Sequence, residues 1–225
     1  MEKVNAAFIT SGDCNYVSPV IQAYNENDIP NIDLKALITT KEINIKDIIL
    51  VGGKLEAMFE TIRYAKGKQG EFNAELGNFL RNHEIELVFL LGCNTIIPSF
   101  QGLSIYNIHP ADPKEHGGNK IYGLRTHKHV LSKLKDEYER GWKNLSDRYF
   151  TLLTIHEAGN KFDQGQIFSQ HHIEIPSTIV SGFLLGDFSL NVAAKLLQDH
   201  VLIYEWMILP MAISMAAKKI LNKRR

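Results

Sequence analysis

Three polar side chains of this sequence have the types needed for proton transfer at a carbonyl centre. Asn107 and His109 stand two residues apart in the largely apolar run 104–109, and Asp163 lies well downstream in the segment 162–167. Together they offer an amide, an imidazole that titrates near neutral pH and a carboxylate. Such groups suit general acid–base catalysis and the stabilisation of an oxyanion.

The run 104–109 predicts a β-strand that ends at Pro110. Because side chains alternate along a strand, Asn107 and His109 are expected on one side of it, near its carboxyl end. Ligands of open α/β sheets bind outside the carboxyl ends of the strands. Asp163 completes such a site only if its loop folds back onto His109. Taken alone, the pattern Asn-x-His-Pro is equally compatible with a strand that simply ends in a turn.

Strand-like and helix-like segments alternate along the chain, which predicts an α/β fold with a mostly parallel, twisted sheet and helices on both faces. The strands are expected at 4–10, 34–39, 85–91, 104–109, 148–156 and 166–175, and the helices at 18–27, 72–80, 127–140 and 192–221. We expect a turn-rich loop at 114–119, and the region 41–66 has no firm assignment. The last helix is expected to be buried and kinked at Pro210.

Composition indicates an ordinary globular protein. The 225 residues include 25 basic and 25 acidic side chains and are 44% hydrophobic, which fits a single domain and not a general nucleic-acid binder. Cys14 and Cys93 are too few for a disulfide framework, and we expect a reducing, cytoplasmic location. The start has no secretory pattern. The apolar segment 201–217 contains Glu205 and falls short of the roughly 20 residues of a membrane span.

A family resemblance appears once the motifs are read together. Asn107-Ile108-His109-Pro110, Gly117-Gly118, His156 and the segment 163–167 resemble, in order and spacing, the folate-dependent formyltransferases, and among them the enzymes that act on glycinamide ribonucleotide (GAR). Further matching segments are 123–127, Gln170, 173–176 and 205–212, so the resemblance extends over nearly the whole chain.

The resemblance implies a fold and a reaction. The fold is the Rossmann-like formyltransferase fold, with one domain over 1–225, an N-terminal half to about residue 110 and a C-terminal half that carries Asp163 and the final helix. The reaction transfers a formyl group from 10-formyltetrahydrofolate to a primary amine, with GAR as the leading acceptor in purine synthesis. Asn107, His109 and Asp163 are the implied catalytic residues. His156 would position the Asp163 loop, although an ordinary strand histidine is equally compatible with the sequence.

The resemblance also implies two binding regions. The folate would contact 91–96 and 157–163 mainly through their backbone, and its candidate residues are Cys93, Asn94, Ile96, Ala158 and Gly159. The acceptor and its phosphate would contact the turn after the first strand and the last helix, at Gly12, Asp13, Cys14, Asn15 and Glu205.

Two loops depart from the family pattern. The family's phosphate loop reads Ser-Gly-x-Gly-Ser-Asn, whereas this chain has Cys14 at the second glycine and Asp13 beside it, and a carboxylate near a phosphate is unfavourable. Residues 111–116 replace the usual Ser-Leu-Leu-Pro and add His116, which we interpret as a solvated loop histidine or an acceptor contact. The charged stretch 133–143 reads as a solvated helix face without an assigned function.

Other functions remain open at this point. Zinc binding is suggested by His127-Lys128-His129 and His171-His172, but neighbouring positions point apart, and no metal is expected. A folate-binding protein without turnover, a 10-formyltetrahydrofolate hydrolase and an N-formyltransferase for sugar or other phosphorylated amines are the alternatives. A transfer-RNA formyltransferase would need a basic domain. The expected partner is therefore a small-molecule amine, without nucleic acid or membrane, for a monomer or homodimer.

Overall fold

The computed structural model describes residues 2–11, 14–42, 57–118 and 121–224. The strands in these ranges are β1 Val4–Thr10, β2 Ile32–Thr39, β3 Met58–Thr61, β4 Leu87–Leu90, β5 Ser104–His109, β6 Tyr149–Glu157 and β7 Ile167–Ile175. The helices are α1 Cys14–Asn25, α2 Gln69–Asn82, α3 Pro113–His116, α4 Leu124–Glu139, α5 Ser177–Leu184 and α6 Leu190–Lys223.

The strands form one sheet in the order β3-β2-β1-β4-β5-β6-β7. The pairs β1–β2, β1–β4, β2–β3 and β4–β5 are parallel, and β6–β7 is antiparallel. The prediction of an α/β fold with a mostly parallel sheet is confirmed. Every residue of β4 is buried, as expected for a continuous apolar strand in the middle of a sheet.

Most elements lie where the sequence placed them, and four differ. The first helix begins at Cys14, four residues earlier than expected, and residues 113–116 form the short helix α3 instead of a loop. The prediction also missed strand β3 and helix α5. Within the unassigned region, residues 43–56 lie outside the described part of the chain.

The chain divides into two compact units, each described by itself. The first comprises Met1–Asn107, Glu157–Lys161 and Trp206–Arg225. Its hydrophobic cluster joins strands β1, β2, β4 and β5 to helix α2 through buried residues such as Ile9, Ile38, Leu76, Val88 and Ile105. The second unit comprises Ile108–His156 and Phe162–Glu205.

Helix α6 is longer and less buried than predicted. It runs unbroken for 34 residues with Pro210 inside it, and it exposes Met207, Met211 and Met215. By length and apolar composition this helix alone, among the described residues, could cross a membrane, and 44% of its most apolar stretch is buried in the protein. Core helices of soluble proteins meet the same criterion.

Candidate active site

His109 ends strand β5 and is held at both ring nitrogens. Its side chain is only 4% exposed. Nε2 lies 3.0 Å from the backbone carbonyl oxygen of His116, and Nδ1 lies 3.6 Å from Oδ1 of Asp163. Since a carbonyl oxygen can only accept, Nε2 carries the hydrogen of this bond. Nδ1 is therefore the nitrogen at which a proton can be taken up or released, next to a carboxylate.

The loop of Asp163 folds back onto the histidine, as a joint site requires. Asp163 adopts a left-handed backbone conformation (φ 53°), which aspartate tolerates better than most residues. Its Oδ2 accepts a 2.9 Å hydrogen bond from the Gly118 amide, and its Oδ1 lies 3.4 Å from His156 Nε2. The carboxylate thus has three neighbours that favour its charged form.

Gly117 allows this close approach. A Cβ atom built on Gly117 would collide with the Pro113 carbonyl oxygen and lie 2.8 Å from Cβ of Asp163. The backbone of Gly117 is extended, so the requirement for glycine comes from lack of space and not from its backbone angles. The two glycines before the family's downstream motif therefore have separate physical tasks, since Gly118 donates to Asp163.

Burial and charge act in opposite directions on the two reacting groups. Burial lowers the pKa of His109 below its ordinary value, although the charge of Asp163 and the hydrogen bond to the His116 carbonyl raise it. For Asp163, burial acts to raise the pKa, but the hydrogen bond of His156, the charge of His109 and the Gly118 amide together hold it below its ordinary value. At neutral pH this leaves a carboxylate beside a neutral imidazole that is ready to accept a proton.

His127 is a buried group near this pair that the sequence indicated only as a possible metal ligand. It lies in the first part of α4, is 2% exposed, and its Nδ1 has no hydrogen-bond partner among the described residues. Burial and then the charge of His109 lower the pKa of His127 to about 4. His127 is therefore neutral at pH 7.

The loop after Pro110 is firmly anchored, which corrects the interpretation of His116. The Ala111 carbonyl oxygen accepts a 2.9 Å hydrogen bond from the buried Thr154 hydroxyl. The Asp112 side chain caps α3 by accepting from the Lys114 amide. His116, predicted to be solvated, is only 7% exposed. Its contacts within this unit, and not solvent, determine where it lies.

The candidate folate residues lie together at one part of the first unit. Cys93 and Ala158 pack against the same hydrophobic cluster, and the Ala158 amide donates a 2.8 Å hydrogen bond to the Ile105 carbonyl. The Asn94 amide donates to the Ser11 hydroxyl at 2.9 Å. The Ile96 carbonyl accepts from the Gln69 side chain, and Gly159 has open space where a side chain would begin. The segment 92–96 and the turn after β1 are therefore neighbours.

The remaining candidates are only partly described. Gly12 and Asp13 lie outside the described residues, as do the side chains of Cys14 and Asn15, although α1 begins at Cys14 as a strand–turn–helix requires. Glu205 is buried at 1% exposure on α6. Asn107 lies on β5, two residues before His109.

The histidines that suggested zinc have other surroundings. His127 is buried, whereas His172 is exposed and stacks edge-on against the Phe150 ring. Within the described ranges no three histidine, cysteine or acidic side chains form a group suited to a metal ion.

Comparison with known proteins gives sequence relatives of one kind. No family model matches the sequence. The chloroplastic phosphoribosylglycinamide formyltransferase of Vigna unguiculata is 26% identical over 210 residues, which are 88% of this chain and 57% of that protein. The corresponding protein of Arabidopsis thaliana is 28% identical over 181 residues, 76% of this chain and 54% of that protein. The chain thus spans about half the length of the curated relatives it matches.

Solved structures share the fold. Glycinamide ribonucleotide transformylase 1 from Symbiobacterium toebii superimposes with a TM-score of 0.69 at 18% identity, over 96% of this chain and 89% of that chain. A formyltetrahydrofolate deformylase from Pseudomonas syringae pv. tomato gives a TM-score of 0.66 at 13% identity, over 97% of this chain and 62% of that chain. The fold alone therefore does not distinguish a transferase from a deformylase. By sequence likeness and by fold together, this chain is a relative of the folate-dependent formyltransferases, and the relatives it matches by sequence are phosphoribosylglycinamide formyltransferases.

Proposed function

We propose that this protein transfers a formyl group from 10-formyltetrahydrofolate to a primary amine, and that the amine is GAR. The observation that carries the proposal is the His109–Asp163 pair, buried beneath the loop 111–118 and placed on the fold of the formyltransferases. The names of the sequence relatives support GAR as the acceptor.

The reaction needs a proton to change places while one bond replaces another. The acceptor nitrogen attacks the formyl carbon and forms a new C–N bond, and the carbonyl oxygen becomes an oxyanion. The bond from that carbon to N10 of the folate then breaks, the acceptor nitrogen loses a proton and N10 gains one. The products are the formylated amine and tetrahydrofolate.

His109 is proposed to be the group that carries this proton. Its Nε2 is held by the His116 carbonyl, so Nδ1 exchanges the proton, and the 3.6 Å separation from Asp163 is too long for a tight hydrogen bond. Nδ1 can therefore also interact with a reacting atom. The imidazolium formed in mid-reaction is stabilised by the Asp163 carboxylate, which His156 and the Gly118 amide keep ionised and in place.

Asn107 is proposed to donate a hydrogen bond to the oxyanion. An amide two residues before His109 on the same strand suits that task, and one such donor is worth roughly 3 kcal/mol of barrier. Glu205 is proposed to contact the acceptor amine.

The folate is proposed to lie against residues 92–96 and 157–159. The fit rests on two observations within the first unit. Cys93 and Ala158 offer apolar surface on one hydrophobic cluster, and Gly92 (φ 63°) and Gly159 leave the backbone accessible. Burial raises the pKa of the Cys93 thiol, so this side chain presents an uncharged, weakly polar surface at neutral pH.

A different amine is the second candidate acceptor. Asp13 and Cys14 replace the glycine-rich pattern of the phosphate loop, and a carboxylate near a phosphate is unfavourable. An acceptor whose anionic group is smaller, or absent, would suit such a turn better. The cytoplasmic location and a monomeric or dimeric state stay predictions.

The test is a spectrophotometric assay of tetrahydrofolate release from 10-formyltetrahydrofolate. Release that requires GAR supports the proposal, and release that requires another amine from a panel of sugar and phosphorylated amines supports the second acceptor. Equal release with and without amines would identify a hydrolase. Absence of release, with folate binding retained in a thermal-shift assay, would contradict an enzymatic function.

A further inference from the structure

The catalytic imidazole is connected to an exposed helix face by a short chain of contacts. The ring of His109 is held by the main-chain carbonyl of His116, the last residue of α3. The ring of His116 in turn lies with its Nδ1 3.1 Å from Nδ1 of His129 on α4. Neither His116 nor His129 belongs to the family's motif, and both lie in segments to which the sequence assigned no function.

A four-residue helix cannot fix its own position. Helix α3 has one full turn at most, and its N-terminus is capped locally by the Asp112 side chain. Its C-terminal end, which carries the carbonyl that binds His109, therefore depends on contacts from outside. Those contacts come from α4, through the ring of His129 and through the ion pair between Lys133 and Glu115.

The two contacts from α4 are spaced as one helix face requires. His129 and Lys133 are four residues apart and so lie one above the other on the helix. Their partners, Glu115 and His116, are adjacent on α3. The rings of His116 and His129 also meet edge-on, with centroids 5.0 Å apart. This pair of contacts fixes both the height and the rotation of the end of α3.

The hydrogen bond between the two rings is of a kind that depends on both histidines. One Nδ1 must carry the hydrogen and the other must accept it. His116 is neutral at pH 7, since burial and then the charges of His129 and Lys133 lower its pKa to about 4, against Glu115 and Asp112, which raise it. A side chain without a ring nitrogen at residue 129 would leave the buried His116 Nδ1 unsatisfied.

We propose that His116 is a positioning residue for the formyl transfer, locked onto α4 by His129 and by the Glu115–Lys133 ion pair, and that its carbonyl sets the tautomer and the orientation of His109. The inference rests on the proposed function for its kinetic consequences, but its geometric claim does not. Loss of the lock lets the carbonyl move away from Nε2, so that His109 loses the hydrogen bond that favours its protonated form.

His129→Gln tests the lock, because His129 is exposed and its replacement leaves the interior intact. His172→Gln is the matched control, an exposed histidine that also contacts an aromatic ring, on β7. Lys133→Gln removes the second contact, and its control is Lys135→Gln, whose ion pair with Glu139 stays within α4.

The kinetic readouts separate positioning from a general loss of stability. Both lock variants should lower kcat by about 5- to 20-fold with KM for either substrate within about 2-fold, and should move the acidic limb of the kcat–pH profile to lower pH by about half a unit or more. The controls should keep the profile. His129→Asn, which retains a polar side chain, should recover part of kcat. Unchanged kcat and an unchanged limb in both lock variants would overturn the inference.

A second measurement needs no turnover and so stays informative if the proposed reaction fails. Nitrogen-detected NMR titration of the ring of His109 should show the Nε2–H tautomer in the wild-type protein. In His129→Gln the titration midpoint should fall, and the tautomer should become mixed. If both variants unfold, the same titration on His129→Asn decides. An identical midpoint and tautomer in the wild type and the lock variants would contradict the coupling, whatever the activity of the protein.

Discussion

Replacement of Asp163 by asparagine separates the charge of this residue from its shape. The asparagine keeps the size of the side chain and an oxygen that can accept from the Gly118 amide, but it removes the negative charge 3.6 Å from His109. At an effective dielectric constant of about 20, the interaction of two unit charges at that distance is about 4 to 5 kcal/mol.

Most of this interaction should be lost from the transition state and not from the ground state. His109 is largely neutral in the resting protein because burial lowers its pKa, so the carboxylate is needed mainly when the imidazolium forms. If a little over half of the charge interaction is specific to that moment, the barrier rises by about 2.7 kcal/mol, which is a hundredfold in rate.

The assay is single-turnover formyl transfer, with donor affinity measured separately by fluorescence titration of a folate analogue. We expect Asp163→Asn to lower the rate of the chemical step by about a hundredfold while donor affinity changes by less than about 3-fold. Asp147→Asn is the control, since Asp147 also accepts a backbone amide hydrogen bond but is exposed. A rate equal to the wild type, or a loss confined to donor binding, would refute the electrostatic role of Asp163.

Three further predictions concern other parts of the site. Asn107→Ala should slow the chemical step by about a hundredfold in the same single-turnover assay with donor affinity retained, and an equal rate would remove Asn107 from oxyanion stabilisation. Gly117→Ala should lower both the melting temperature and kcat because its Cβ meets Pro113 and Asp163, whereas Gly70→Ala, with open space around it, should change neither; an innocuous Gly117→Ala would show that the Asp163 loop has room to move. The free energy of unfolding should fall by about 3 kcal/mol between pH 6.5 and pH 4 because of His127: the unfolded chain takes up a proton there near pH 6.5, but the folded protein does so only near 4. Denaturant titrations of His127→Gln should lack this part of the acid loss, and an identical pH dependence would show that His127 is not buried as a neutral group.

The strands were predictable from local pattern, whereas two short elements were not. Strands β1 and β4 are continuous apolar runs, and burial on both faces makes such runs visible in the sequence. Helix α5 contains Thr178, Ile179, Val180 and Gly182, which favour helices weakly. It forms because Ile179, Val180 and Phe183 are buried, a tertiary effect that no local pattern reports.

The site shows the same division. The strand end that carries His109 was predictable. The sequence could show that Asp163 needs to fold back onto it, but not that it does so, because contact between distant segments depends on the loop between them. The burial of His116 could not be predicted, since its neighbours in sequence are charged and only the contact with α4 removes its ring from solvent. The location of His127 near the reacting pair is likewise a matter of packing.

The most direct test follows the formyl carbon itself. With 10-formyltetrahydrofolate labelled with carbon-13 in the formyl group, the account predicts that the label appears in a new amide on the acceptor amine, that tetrahydrofolate forms in equal amount, and that Asp163→Asn slows both together. Label that appears only as free formate, at a rate independent of any amine, would contradict transfer as the function of the His109–Asp163 pair.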